Sequence, residues 1–294
     1  MNKLIYLLFG FTISLAGYAE DYSKGLPIIP GEHVSVGNHR LHHRCIGTGS
    51  PTIVIDNGIA GSATEWYGIQ NRLADKYRTC VYDRAGYGWS EPGPSPRTTE
   101  QIADELRALL NAKAERPPYI FIGHSFGGFT AMRMAAIMPQ QVMGIILVDS
   151  SSPEVLFNRN EGDRKLLNPI AAGAATGKDN VPSTPQEMAR FLNSRRRAIF
   201  VQMDEISNFQ LSASLVGELI GLENLPMLVL ARDPEVGDKN EVRESSWRRA
   251  QIGLSNISTL GQLHLAEGSD HFIHLRKPDW LAAEIEEFAA RLVE

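Results

Sequence analysis

Cysteine is scarce in this 294-residue sequence, charge of either sign is never concentrated in long blocks, and no long apolar run follows the first twenty residues. Two cysteines are too few for a disulfide-dense miniprotein, and a composition that is 43% hydrophobic excludes intrinsic disorder. The 29 basic and 34 acidic side chains give a formal net charge of −5, which favours neither nucleic acid nor an anionic membrane as a partner. The one dense basic cluster, Arg195–Arg197, points in three directions on a helix and is interpreted as a solvated surface. The sequence therefore predicts a globular protein.

The N-terminus has the features of a secretory signal. Lys3 supplies a positive charge, Leu4–Gly17 is an apolar run, and Gly17 and Ala19 place small residues at −3 and −1 of a cut after Ala19. The apolar run is shorter than the ~20 residues that a membrane-spanning helix needs. We expect residues 1–19 to be a signal peptide, so that the mature protein is secreted or periplasmic and has no stable membrane anchor.

Short, nearly continuous apolar runs recur along the chain, as is typical of strands buried on both faces. They are Thr52–Ile55, Cys80–Tyr82, Tyr119–Ile122, Gly144–Val148 and Met227–Ala231. Helical spacing lies between them, at Thr99–Lys113 and Phe126–Met138. Before them, His33–Gly37 and Arg40–Ile46 indicate an antiparallel pair. The alternation predicts an α/β fold, with a mostly parallel sheet and helices on both faces.

Residues 152–225 break this alternation, because two predicted helices, Pro185–Phe200 and Asp204–Ile220, occur there without a convincing strand. Such an insertion is too long for an ordinary connection. We interpret it as a helical cap over the ligand-binding edge of the sheet. The predicted organisation is therefore a core in two parts, residues 20–151 and 226–294, with the cap at 152–225.

A Gly-His-Ser-Phe-Gly sequence, Gly123–Gly127, lies between a predicted strand and a predicted helix. In that context the G-x-S-x-G pattern indicates a sharp turn that lifts the serine hydroxyl above the sheet at a helix N-terminus. Very small residues two positions either side are needed because the turn brings backbone close together. Ser125 is therefore the predicted nucleophile.

A serine needs a base to take its proton, and we expect that base downstream. His271 follows Gly-Ser-Asp in a predicted loop after the strand-like run Gln262–Ala266 and before the terminal helix. His274 is the rival, but its position nearer the helix gives it less reach. His124, beside the nucleophile, is expected to pack and to form hydrogen bonds rather than to transfer protons.

These motifs together resemble the α/β-hydrolase fold family. The likeness extends over nearly the whole mature chain and includes Asp83-Arg-Ala-Gly-Tyr-Gly-Trp-Ser90, which is similar to a segment in many members. The resemblance implies an eight-stranded sheet whose second strand is antiparallel, with a cap between strands six and seven. It also implies the chain order nucleophile, acid, histidine.

The resemblance also suggests an oxyanion hole. The family usually has His-Gly after strand three, where this chain has Asn57-Gly58, so the next backbone N–H is that of Ile59. Phe126, directly after the nucleophile, is expected to supply the second N–H. Two such donors stabilise the charge that develops on the carbonyl oxygen in the transition state.

The acid of the triad is left open between the ends of two predicted strands. Asp149 ends strand six, a position that some lipases and dehalogenases of this fold use. Asp233, with Glu235 behind it, follows strand seven, the commoner position in the family. We favour Asp149, because Asp233 comes earlier after the preceding proline than the pattern usually has it; either carboxylate could orient the imidazole.

The predicted activity is hydrolysis of carboxylic esters through an acyl-enzyme on Ser125, acting on a small-molecule substrate. No cofactor is implied, and no metal is expected, because the histidines form no cluster with ligand spacing. An aminopeptidase or amidase is the alternative, since Glu154, Glu161 or Glu205 in the cap could hold a substrate ammonium. From another class, the fold could serve as a ligand-binding protein.

Cys45 and Cys80 fall in strands that the family order places side by side, strand two beside strand four. An antiparallel neighbour could bring their Cα atoms within the ~4.4 to 6.8 Å of a disulfide, and export would supply an oxidising compartment. We expect a bridge between them, with two buried thiols as the alternative.

Overall fold

The computed structural model describes residues 29–154, 184–219 and 221–293. The predicted signal peptide and residues 155–183 of the predicted cap lie outside these ranges. None of the helices within them is long and apolar enough to cross a bilayer.

Eight strands form one sheet in the spatial order β1-β2-β4-β3-β5-β6-β7-β8. They are β1 (Glu32–Ser35), β2 (Arg40–Ile46), β3 (Thr52–Asp56), β4 (Arg78–Tyr82), β5 (Tyr119–His124), β6 (Val142–Val148), β7 (Met227–Arg232) and β8 (Gly261–Ala266). Strand β2 pairs antiparallel with β1 and β4, and every other pair is parallel. The predicted fold class is confirmed, because the carboxyl ends of β3 to β8 meet at one edge.

Two apolar layers cover the sheet because successive side chains of a strand point to opposite faces. In β3, Ile53 and Ile55 pack on one face with Trp66, and Val54 packs on the other with Leu106. These side chains are at most 2% exposed. Full burial of such a side chain stabilises the fold by about 1.5 to 3 kcal/mol. The sheet is therefore a rigid support for the residues at its carboxyl edge.

Helices lie on both faces of the sheet. They are α1 (Tyr67–Leu73), α2 (Thr99–Ala112), α3 (Gly127–Ile137), α4 (Pro185–Asn193), α5 (Arg196–Ser207), α6 (Phe209–Gly217), α7 (Glu241–Ser255), α8 (Ile273–Arg276) and α9 (Pro278–Val293). Thr98 caps α2 by accepting a hydrogen bond from the Gln101 N–H at 3.3 Å. Helices α2 and α3 pack on one face, whereas α1 and α9 pack on the other.

The predicted bounds of the cap helices are wrong. Helix α4 ends at Asn193 because Arg195 has extended backbone, and a new helix, α5, begins at Arg196. The Asn193 side chain accepts a hydrogen bond from the Gly88 N–H and donates one to the Ala60 carbonyl. Helix α5 ends at Ser207, where Asn208 donates a side-chain hydrogen bond to the Asp204 carbonyl at 2.9 Å. A side chain that bonds nearby backbone competes with helix continuation.

The basic cluster is also more varied than predicted. Arg195 has extended backbone and precedes α5, Arg196 is exposed, and Arg197 donates to the Gly88 carbonyl. The interpretation as a solvated helix surface therefore holds for Arg196 and is wrong for Arg197, which holds α5 to the loop after β4.

A disulfide joins the two antiparallel strands near the edge of the sheet. Cys45 of β2 lies directly opposite Cys80 of β4, and their Cα atoms are 4.1 Å apart, slightly closer than the expected range. The bridge forms because the register pairs the two residues on the same face. It ties β2 to β4, the strand that ends directly before Asp83.

Candidate active site

Ser125 lies at the turn between β5 and α3, at the carboxyl edge of the sheet. Its φ of 51° is in the left-handed region, which a non-glycine residue occupies at a cost of order 1 to 3 kcal/mol. Backbone hydrogen bonds hold the turn: the Ser125 carbonyl accepts from the N–H groups of Gly128 and Ser151, at 3.1 and 2.9 Å. This is the strained geometry predicted from the G-x-S-x-G pattern.

The glycines of the motif are required by close backbone contact. A Cβ on Gly123 would lie 2.3 Å from the Gly127 carbonyl oxygen. One on Gly127 would lie 2.6 Å from the carbonyl oxygens of Asp56 and Asn57. Gly123 thus allows the backbone to approach closely within the turn itself. Gly127 allows the loop after β3 to approach the N-terminus of α3.

The loop after β3 presents the predicted oxyanion donors. Gly58 lies against the nucleophile, since a Cβ on it would be 3.1 Å from the Ser125 Cβ and 3.0 Å from the His124 Nδ1. The backbone N–H groups of Ile59 and Phe126 donate no hydrogen bond within the described residues. Two unused donors on either side of the serine are the arrangement that stabilises a tetrahedral oxyanion.

His271 and Asp149 meet at the same edge. The His271 Nδ1 lies 2.6 Å from the Asp149 Oδ2, and the Asp149 side chain is fully buried. A carboxylate can only accept, so Nδ1 carries the proton and Nε2 is left to receive one. The loop that carries His271 also contacts the end of β5, because the His124 Nε2 donates to the His271 carbonyl at 3.0 Å.

The surroundings of Asp149 keep it ionised. Burial alone would raise its pKa, but the hydrogen bond and charge of His271, together with Arg232 and Trp247, hold the pKa of Asp149 below its ordinary value. The Trp247 Nε1 and the Arg232 backbone N–H donate to its Oδ1 at 2.9 and 3.0 Å, and the Arg232 Nη1 donates to its Oδ2 at 3.2 Å. The carboxylate is thus fixed in direction as well as in charge.

Sequence reasoning did not single out Trp247 or Arg232. Trp247 lies in helix α7, and Arg232 is the last residue of β7. Neither position has a local signal for contact with Asp149, since the contact depends on how α7 and β7 pack beside β6.

The structure does not bring Asp233 or Glu235 to His271. Asp233 accepts hydrogen bonds from the Gly268 N–H at 2.7 Å and the Glu235 N–H at 2.9 Å, and Glu235 is exposed. The Asp233 N–H also donates to the Ser269 carbonyl at 2.9 Å. The alternative that placed the acid at the end of strand seven is therefore not supported, because Asp233 holds the loop that carries the histidine instead.

His124 and His274 are both buried and neutral. Burial, with the nearby His271, lowers the pKa of His124 to about 3. Burial likewise holds the pKa of His274 well below its ordinary value. The His274 ring stacks on Trp66 at 4.6 Å, and neither of its nitrogens has a hydrogen-bond partner within the described residues. His274 is therefore packed as a buried aromatic ring beside Trp66.

The acidic residues suggested for binding an ammonium have other surroundings. Glu205 of α5 is fully buried, pairs with Arg84 at 2.9 Å and accepts a hydrogen bond from the Tyr87 hydroxyl at 2.9 Å. Glu154 is exposed at the end of the segment that follows β6, and Glu161 lies outside the described residues. Glu205 is thus already neutralised by an arginine.

Four side chains with metal-ligand chemistry come together away from this site. His43, Cys45, Cys80 and Glu115 offer ligand atoms within 4.8 Å of one another, a cluster that the sequence did not indicate. The two sulfurs are joined in the disulfide, and Glu115 pairs with Arg78, so neither thiolate is free to coordinate. The arrangement fits a packed disulfide rather than a metal centre.

The comparisons with known proteins agree with this fold. A family model described as the alpha/beta hydrolase fold matches residues 51–203. The chain belongs to the α/β-hydrolase fold family. It is 25% identical over 242 residues to the uncharacterized protein YqjL of Bacillus subtilis (strain 168), covering 82% of this chain and 83% of that one. It is 35% identical over 105 residues to an AB hydrolase superfamily protein of Gibberella zeae, covering 34% of this chain and 33% of that one.

Solved structures share the fold at low sequence identity. The enol-lactonase from Burkholderia xenovorans LB400 superposes with a TM-score of 0.64 and 19% identity, covering 87% of this chain and 99% of that one. Such identity shows the architecture of this α/β hydrolase and leaves its substrate to the chemistry of its own residues.

Proposed function

We propose that this α/β hydrolase cleaves carboxylic esters through an acyl-enzyme on Ser125. The observation that carries the proposal is the hydrogen bond between buried Asp149 and His271 Nδ1, at the same edge as the strained serine turn. A serine, a histidine with a fixed tautomer and unused backbone donors are the parts that acyl transfer needs. The enol-lactonase similar to this chain is consistent with the proposal, since a lactone is a cyclic ester.

The proposed reaction has two halves. The Ser125 hydroxyl attacks the ester carbonyl and gives its proton to His271 Nε2, while the N–H groups of Ile59 and Phe126 stabilise the oxyanion. Collapse of the tetrahedral intermediate breaks the C–O bond, and the alcohol leaves with the proton from His271. Water then attacks the acyl-enzyme, His271 takes the water proton and returns it to Ser125, and the carboxylic acid departs.

The proposal includes where the enzyme works. Export through residues 1–19 would place it outside the cytoplasm, as a secreted or periplasmic enzyme acting on a small-molecule ester. The Cys45–Cys80 disulfide supports this proposal, because structural disulfides persist mainly in oxidising compartments.

The test uses a short p-nitrophenyl ester and a fluorophosphonate that labels activated serines. We expect turnover by the wild-type protein, loss of roughly 10⁴-fold or more in kcat for Ser125→Ala and for His271→Ala, and a double variant little worse than either. The matched control is His274→Phe, which keeps a ring on Trp66 and should retain activity within about threefold. Full activity of Ser125→Ala, or labelling of that variant by the fluorophosphonate, would refute the assignment of Ser125 as nucleophile. A p-nitroanilide hydrolysed faster than the ester would shift the proposal to an amidase.

A further inference from the structure

Arg84 lies beneath the oxyanion loop and uses all of its hydrogen-bonding capacity there. Its side chain is 1% exposed. The Nε and Nη2 donate to the two carboxylate oxygens of Glu205, Nη1 donates to Asp56 Oδ1 and to the Asn57 carbonyl, and Nη2 also donates to the Gly58 carbonyl. A guanidinium has five N–H donors, so every one is occupied.

Two of those bonds fall on the loop that carries the Ile59 N–H. The Arg84 Nη2 lies 2.9 Å from the Gly58 carbonyl oxygen. That carbonyl and the Ile59 N–H belong to one planar trans peptide group, so they point in opposite directions. A hydrogen bond that fixes the carbonyl towards Arg84 therefore fixes the N–H away from it. The Gly61 N–H reinforces this orientation by donating to the same carbonyl at 3.1 Å.

The same guanidinium also contacts the ring of Phe126, the residue whose backbone is the second proposed donor, and helix α5. Its central carbon lies 5.6 Å from the centroid of the Phe126 ring, a cation–π distance. Glu205, which takes two of its donors, belongs to helix α5 of the cap. One side chain thus touches the oxyanion loop, the residue after the nucleophile and a cap helix.

We infer that Arg84 is a positioning residue for the oxyanion hole, which orients the Gly58–Ile59 peptide and, through Glu205, makes that orientation depend on the cap. The inference rests on the proposed function. In this role Arg84 does not contact the substrate, because its five donors are all used by the protein.

A second buried pair provides a matched control. Arg97 donates to both oxygens of Glu105 at 2.6 and 2.7 Å, and its side chain is 2% exposed. This pair is as buried and as bidentate as Arg84 with Glu205, but neither residue bonds the oxyanion loop. Replacing either arginine by lysine keeps the charge, reduces five donors to three and removes the fork. Any general cost of weakening a buried pair is therefore common to both variants.

The first measurement is kinetic. We expect Arg84→Lys to lower kcat by about 10²-fold, the size seen on losing one oxyanion donor, with KM within about threefold because the donor acts in the transition state. Arg97→Lys should stay within about threefold in kcat at a similar shift of the thermal midpoint. Glu205→Gln keeps the shape of the partner but can accept only through one oxygen, and should lower kcat by about tenfold. It also provides the test should Arg84→Lys fail to fold.

The second measurement needs no substrate. Amide hydrogen exchange over residues 56–63 should be faster in Arg84→Lys than in the wild type and unchanged in Arg97→Lys, because the Gly61 N–H is protected by the carbonyl that Arg84 holds. Unchanged exchange in Arg84→Lys would overturn the inference. Faster exchange with a kcat equal to that of Arg97→Lys would overturn the link to catalysis. A wild-type protein inactive on esters would refute the proposed function, and the exchange data would still decide whether Arg84 holds the loop.

Discussion

Replacement of Asp149 by asparagine tests the assignment of the acid with little change in shape. The wild-type carboxylate accepts four hydrogen bonds, two at each oxygen. Those at Oδ1 come from the Trp247 indole and a backbone N–H, which are obligate donors. Those at Oδ2 come from the Arg232 guanidinium and from His271, and only the histidine can change its tautomer.

The structure therefore predicts which way the asparagine will lie. Placing its NH₂ group at Oδ1 would face two obligate donors, whereas placing it at Oδ2 faces one obligate donor and His271 Nδ1. The second orientation costs less, and it forces His271 to bear its proton on Nε2. That nitrogen can then no longer accept the Ser125 proton. Such a change lowers kcat in serine hydrolase triads by about 10⁴-fold, which corresponds to about 5 kcal/mol.

The assay is steady-state hydrolysis of a short p-nitrophenyl ester by Asp149→Asn, with circular dichroism and the thermal midpoint as checks of folding. We expect KM to change by only a few-fold. Asp233→Asn is the control, because its amide oxygen can still accept one bond from the loop before His271, and its kcat should fall less than tenfold. If Asp149→Asn keeps a tenth of the wild-type kcat, or if Asp233→Asn loses as much, the reasoning about the tautomer is wrong.

Two further predictions concern stability. The Cys45–Cys80 bridge joins residues 35 positions apart, and the chain entropy that it removes from the unfolded state corresponds to about 4 kcal/mol of stability. Thiol titration of denatured, unreduced protein should find no free thiol, and the double Cys→Ala variant should melt at a lower temperature; two thiols per chain would contradict the bridge. Burial lowers the pKa of His43 to about 4, so the unfolded chain binds a proton below about pH 6.5 that the native chain does not. Denaturant unfolding should show the wild type losing about 2 kcal/mol more than His43→Asn between pH 7.5 and 5, and an equal loss would refute it.

The sharp turn at Ser125 was predictable because its signal is local. The strand, the sharp turn and the helix that surround Ser125 are contiguous in sequence, and the glycines beside it are required by contacts within that same segment. The strands were predictable for a similar reason, since burial on both faces leaves an apolar run that needs no knowledge of its neighbours. The predicted bounds of the helices in the 152–225 insertion were wrong because the extended backbone at Arg195 and the side-chain hydrogen bond of Asn208 interrupt them, and periodicity encodes neither.

The acid could not be chosen from the sequence on physical grounds. Asp149 and Asp233 follow neighbouring parallel strands, so both lie at the carboxyl edge and both carry the same functional group. The difference lies in which donors surround each carboxylate. Backbone N–H groups of nearby loops take Asp233, whereas Trp247, Arg232 and His271 converge on Asp149.

The two halves of the proposed machinery are held by different parts of the molecule. The nucleophile and the acid are braced by the sheet, since the Ser125 N–H donates to the Val148 carbonyl at 3.1 Å and the Asp149 N–H donates to the Leu230 carbonyl at 2.7 Å. The proposed oxyanion loop is held by Arg84, whose charge is balanced in part by Glu205 of helix α5. Strand backbone is a rigid support, whereas Arg84 holds the loop only through side-chain hydrogen bonds and is itself held by Glu205 of α5 in the predicted cap. A disturbance of the cap should therefore reduce stabilisation of the transition state while the serine, the histidine and the aspartate stay in place.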